Sequence, residues 1–180
     1  MIRRFCICMS LALAAATIYA QGPQPSPRET ESATIAGKTI TIVYSSPRVR
    51  GRAGHIFTQG GLISQDPHYP VWRAGANAAT TLKTTGNISL GDLNVPAGTY
   101  TLFVDIGNPA QWMLVVSKDL GEWGLNYDKS KDLGRAAMHM SKPPAMVENL
   151  KYTIQGDGGN KGTLTLAWEN ERASIPIAVH

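Results

Sequence analysis

The run Trp72-Arg73-Ala74-Gly75-Ala76-Asn77-Ala78-Ala79-Thr80 sets a guanidinium between a tryptophan and a string of small residues. Arg73 carries a planar fork of five N–H donors, which suits a carboxylate, a phosphate or a pair of sugar hydroxyls. The small residues at 74–76 permit a tight backbone path in which Asn77 takes a left-handed conformation or bridges a turn. Asn77 and Thr80 add neutral hydrogen-bonding groups, and Arg52 supplies a second cation upstream. The plainer alternative is structural: Arg73 pairs with an Asp or Glu to pin a loop, and Trp72 is core. The residues alone leave both readings open.

A second cluster holds Trp123, Asn126, Tyr127, Asp128, Asp132 and Arg135. Trp and Tyr near the rim of a β-sandwich stack on the apolar faces of sugar rings, while Asn and Asp bind hydroxyls. Asp128 and Asp132 also form a candidate acid/base pair for glycoside hydrolysis, which needs carboxyl separations of roughly 5–10 Å. An aromatic staple with surface Asp–Arg pairing is the simpler account. Such side chains are costly to bury unpaired. The expectation is therefore that Arg52, Arg73 and Asn77, with Trp123, Tyr127, Asp128 and Arg135, line or support one concave patch.

Other chemistries find little footing. His55, His68, His139 and His180 lack ligand spacing, so no metal is expected, and no cofactor motif occurs. Pro96-Ala97-Gly98 resembles the turn of a cupin second motif, but Thr101 stands where that pattern wants His. Asp157-Gly158-Gly159-Asn160 lacks the acidic spacing of a calcium loop. No G-x-S-x-G is present, and Gly60-Gly61 is not followed by Lys-Ser/Thr. Arg48, Arg50 and Arg52 alternate as a basic ladder. In an exported chain that ladder suits an anionic polysaccharide or lipid headgroup better than nucleic acid.

The 180 residues fit one domain plus a leader, and 43% apolar content suffices for a packed core. The formal charge of +4 falls to +2 without Arg3 and Arg4, and neither sign clusters. Those two arginines open a leader: a basic start, then an apolar stretch at 5–20 that is shorter than the roughly 20 residues of a membrane span. Cleavage is expected at Ala20/Gln21, with Ala16/Thr17 competing, which gives a signal peptide at 1–20 and a periplasmic or secreted protein without stable membrane insertion. Cys6 and Cys8 both precede the apolar run's end, so a lipid-anchored Cys is disfavoured and the mature chain carries no disulfide. Residues 21–32, with Pro23, Pro25 and Pro27, read as a mobile Pro-rich tether. The domain is expected at 33–180.

Within the domain the hydrophobic period is two. Residues 33–36 and 38–44 form a hairpin around Gly37; further strands fall at 79–84, 87–90, 99–105, 111–116, 133–140, 146–155, 163–168 and 173–179. Asp157-Gly158-Gly159-Asn160 is a hairpin turn. Nine or ten strands at this spacing predict an all-β, antiparallel, jelly-roll-like sandwich, with Ile40, Ile42, Leu102, Val104, Leu114, Val116, Leu164 and Leu166 inward. At most one helical turn is expected, near 143–148. Residues 46–76 break the pattern: a long segment rich in Arg, Gly and Pro that also holds Ile56, Phe57, Leu62, Ile63 and Val71, hence packed down and the best place for a site.

Gly51-Arg52, the 71–80 run, Val95-Pro96-Ala97-Gly98-Thr99-Tyr100, Trp123-Gly124-Leu125-Asn126-Tyr127-Asp128, Arg135 and Ala167-Trp168-Glu169 occur in the order of the bacterial DUF2911 family, which the chain resembles over residues 26–179. The resemblance implies an exported all-β domain and assigns it no particular activity or mechanism. The segment 53–70 looks longer than the family's and adds His55 and His68. On function, a non-catalytic binding module for a carbohydrate or small anionic ligand is expected first. A cell-envelope or polysaccharide hydrolase using Asp128 and Asp132 is the alternative, and a structural or assembly domain is the second.

Overall fold

The computed structural model describes residues 25–121 and 125–180. The leader with its cleavage sites, Cys6, Cys8, residues 21–24 of the tether and Trp123 lie outside the described residues.

The described chain is all-β, two antiparallel sheets facing each other. Strands β1 (Arg28–Ile35) and β2 (Lys38–Ser45) form the first hairpin, closed by Ala36 and Gly37 at φ 47° and 76°. Both left-handed residues match the primed turn that a twisted hairpin requires. Then follow β3 (Val71–Trp72), β4 (Thr80–Thr84), β5 (Ile88–Leu90), β6 (Leu93–Val95), β7 (Gly98–Asp105) and β8 (Met113–Ser117). The series ends with β9 (Asp132–Ala137), β10 (His139–Ser141), β11 (Val147–Gly158), β12 (Lys161–Glu169) and β13 (Glu171–Val179). One sheet runs β1-β2-β4-β7-β8-β9 with β3 beside β7; the other runs β11-β12-β13-β5-β6 with β10 beside β13.

All eight residues expected inward are at most 1% exposed, so the period of two did set the core face. Trp72 and Trp168 join them at the end of the sandwich, stacked with centroids 5.9 Å apart, and Phe57 meets both edge-on. Residues 46–50 seal one side by pairing with β11. Val49 donates its N–H to Glu148 O at 2.8 Å, and Leu150 donates to Pro47 O at 2.9 Å.

Three expectations need correction. Pairing begins at Arg28, inside the segment read as tether, because Glu29 and Glu31 have partners: Tyr44 donates its hydroxyl to Glu29 at 3.0 Å, and the Ile154 N–H donates to Glu31 at 3.1 Å across the two sheets. The strand read at 133–140 is two strands in different sheets, with Met138 crossing between them and its N–H held by Trp112 O. No helical turn forms at 143–148, where Pro143-Pro144 disfavours the helical region for the residue before each proline. The helical turns are Ile63–Gln65 and Lys129–Lys131. Three short strands, β3, β6 and β10, raise the total among the described residues to thirteen; two or three residues show no readable alternation.

Candidate functional site

The 72–80 run builds a turn that presents Arg73. Trp72 is fixed from behind by pairing with Val104 on β7 and is 1% exposed, so it belongs to the core even as its ring floors the site. The carbonyl of Ala74, itself left-handed at φ 49°, accepts two hydroxyls: Tyr152 at 3.0 Å and Thr80 at 3.2 Å. Gly75 follows because a Cβ there would lie 2.9 Å from Thr80 Oγ1 and 3.2 Å from Ser45 O. Asn77 takes the left-handed conformation expected of it, φ 57°, and is exposed. Thr80 and Asn77 therefore shape the turn; neither lines the cleft.

Arg73 projects from this turn into a cleft of about 400 Å³ walled by Arg52, Leu62, Ile63, Asp66, Leu125 and Trp168. Among the described residues Arg73 forms no ion pair; those pairs involve Arg135 and Lys142 instead. Its Nε is buried with no hydrogen-bond partner among the described residues, and so is Nε1 of Trp168. Leaving a donor buried and unsatisfied costs about 1–3 kcal/mol, and two such donors border one cleft. Arg52 behaves differently. Its Nε donates to Val49 O at 3.0 Å and its Nη2 to Arg48 O at 2.7 Å, so it locks the turn and leaves its charge at the cleft wall. That fold-back also breaks the expected ladder: Arg48 and Arg50 stay exposed, while Arg52 turns in.

The second cluster forms its own network. Arg135 donates Nη1 to Asp105 at 2.8 Å and Nε to Asp132 at 3.2 Å, and its Nη2 reaches the Tyr127 hydroxyl. Tyr127 in turn donates to Asp132 at 2.8 Å and sets its ring edge-on to Phe103. Burial pushes the Tyr127 hydroxyl up to about 12, and the bond to Asp132 acts in the same direction. Burial alone would lower Arg135, but Tyr127 and Asp132 hold its guanidinium above the usual value. Asp128 is exposed and caps the turn Lys129–Lys131, accepting the Ser130 N–H at 2.9 Å. Those bonds from Ser130, side chain then backbone, keep its carboxyl below the ordinary range.

The structure thus divides the expected patch. Arg52, Trp72 and Arg73 share the cleft; Tyr127 and Asp128 line a shallower depression with His68, Asp119 and Asn126; Arg135 is spent on its two aspartates. The two places adjoin, since Asp66, Pro67 and Leu125 line the cleft while His68, Asn126 and Tyr127 line the depression. Among the described residues no group of three or more His, Cys, Asp or Glu is placed to hold a metal ion.

Residues 26–177 match the model of a family described as a protein of unknown function, DUF2911. The chain belongs to the DUF2911 family. The match spans both sheets, the turn that presents Arg73 and the Tyr127 network. Comparison of this DUF2911 chain with curated proteins and with solved structures found no match.

Sequence reasoning missed Trp168, Leu62, Ile63, Asp66 and Leu125 as cleft residues of the DUF2911 domain. Trp168 alternates on β12 like any core residue, and nothing local distinguishes a tryptophan whose indole N–H finds no partner. Leu62 and Ile63 were legible as packed loop residues, though not as a wall.

Proposed function

We propose that this DUF2911 domain is an exported, non-catalytic binding module for a small anionic ligand, held in the cleft between Arg52 and Arg73. The observation that carries the reading is Arg73, which forms no ion pair among the described residues and whose buried Nε, like Nε1 of Trp168 on the same cleft, has no hydrogen-bond partner among them. A carboxylate, phosphate or sulfate oxygen supplies the acceptors both donors lack, and Arg73 meets such groups in a planar, bidentate way. The apolar walls, Leu62, Ile63 and Leu125, lower the local dielectric and strengthen that contact.

A hydrolase built on Asp128 and Asp132 has less support. Asp132 is engaged by Arg135 and Tyr127, and Asp128 caps a turn at the surface. Export rests on the basic start and the apolar stretch at 5–20. N-terminal sequencing of material from the periplasm or medium should begin at Gln21; an intact Met1 in the membrane fraction contradicts it.

Ligand binding is read by thermal unfolding of the mature protein with phosphate, sulfate, citrate and glucuronate as probes. A ligand at about 100 times its Kd stabilises by about 2.7 kcal/mol through mass action, a rise of several degrees in Tm. The expected result is such a rise for at least one probe, reversed by competing salt. A Tm indifferent to all four counts against the reading.

A further inference from the structure

A second cleft, about 640 Å³, lies on the other side of the 54–70 segment, and neither candidate cluster contains it. Its walls are aromatic: Phe57, Trp112 and, at the rim, Tyr69, a large side chain left 46% exposed. Its polar groups are Gln59, Asn170, Glu169, Glu171 and Lys142. We propose that this cleft binds a neutral oligosaccharide, independently of the anion site.

The charge pattern chooses the ligand class. Lys142 is paired with Glu171, so no free cation waits for an anion as Arg73 does in the first cleft. With Glu171 paired to Lys142 and Glu169 tied to the Gly54 N–H, the side-chain amides of Gln59 and Asn170, which both donate and accept, are left to meet a ligand rich in hydroxyls. The exposed Tyr69 ring beside them suits the C–H face of a pyranose, and a cleft of this size is within the range of small-molecule sites. Lys142 and Glu171 cancel each other and Glu169 is only 5% exposed, so no free charge of either sign selects an ion here.

Glu169 adds a second observation. It sits in the two-residue turn between β12 and β13 at φ 55°, where glycine or asparagine would be at ease, and it is 5% exposed. Its Oε1 accepts the Gly54 N–H, which ties the long segment to the sheet and fixes the cleft's edge. A strained backbone holding a buried carboxylate against a cleft is a pattern that recurs at binding sites. Tyr69 provides the stacking face, Glu169 the rigid wall, and Gln59 with Asn170 the hydroxyl contacts.

The test uses the mature protein and five probes: the hexaoses of cellulose, xylan, maltodextrin, laminarin and chitin, followed by calorimetry and by tryptophan fluorescence. At least one probe is expected to bind. Tyr69→Ala should weaken it about tenfold or more, while Tyr69→Phe, which keeps the ring, should bind nearly as the parent does. Tyr69 is exposed enough that both variants should melt like the parent. The proposal is overturned if no hexaose binds at low-millimolar concentration, or if Tyr69→Ala binds as the parent does. Binding lost in Arg73→Lys but kept in Tyr69→Ala would assign the sugar to the first cleft and overturn the proposal equally. A failed anion screen leaves this outcome untouched, because the two clefts are read with different probes.

Discussion

Trp168→Ala should destabilise the domain by about 3–5 kcal/mol, near the top of the range for a single core truncation. The indole is 2% exposed, stacked on Trp72 and met edge-on by Phe57, whose ring also leans on Trp112. Removing it opens a cavity where the long segment joins the sandwich, and the sheets flanking it cannot close in. The described residues contain no cysteine, so no disulfide among them compensates. Thermal unfolding should show a Tm lower by about 10 °C. Trp168→Phe keeps most of the volume and should lose far less. A loss below about 1 kcal/mol for the alanine variant would mean that the aromatic cluster does not anchor the 54–70 segment.

Raising the pH from 10 to 12 should remove about 3–5 kcal/mol of stability, chiefly through Tyr44 and Tyr152. Burial pushes the Tyr44 hydroxyl up to about 12, and burial raises Tyr152 further still. Both donate as neutral hydroxyls, Tyr44 to Glu29 and Tyr152 to Ala74 O. The sign follows from proton binding. In the unfolded chain these tyrosines ionise near 10, while the native chain holds their protons, so their contribution is intact below pH 10 and is lost as pH rises through the folded values. Tyr127 acts in the same direction but is only part-buried, and solvent screening reduces its share. Urea unfolding at pH 9 to 12 measures the slope. Tyr152→Phe should flatten it by up to about 1.4 kcal/mol per pH unit. A midpoint that holds constant to pH 12 contradicts the assignment.

Much of the fold was legible because sheets with one buried face advertise it at every second residue. Ile40, Ile42, Leu102 and Leu164 are inward for that reason. What escaped was what breaks the period or borrows partners from afar. Arg28 to Ser32 looked like solvated tether until Tyr44 and the Ile154 N–H, remote in sequence, claimed its glutamates. The site was legible in part. Arg73 stood out by its setting among small residues, and the Ala74-Gly75 turn explains that setting. The expected single patch became two adjoining places because pairing in space decides which charges remain available. Asp105, far from any motif, took Arg135 out of the site, and among the described residues no acidic residue did the same to Arg73. The second cleft was legible only as the 46–76 segment that supplies Phe57 and Tyr69; Trp112 and Glu169 come from segments that only the sandwich brings to it.

The central claim is that the Arg73 guanidinium is held ready for a ligand and does not stabilise the fold through a partner. Calorimetric titration of the parent and of Arg73→Lys, each with the anion that most raises the parent's Tm, tests it directly. Lysine keeps the charge and loses the planar fork. The account predicts that Arg73→Lys melts within a few degrees of the parent and binds the anion at least about tenfold more weakly. An Arg73→Lys protein destabilised by about 3–5 kcal/mol, the cost of breaking a buried ion pair, would contradict it, as would unchanged affinity for the anion.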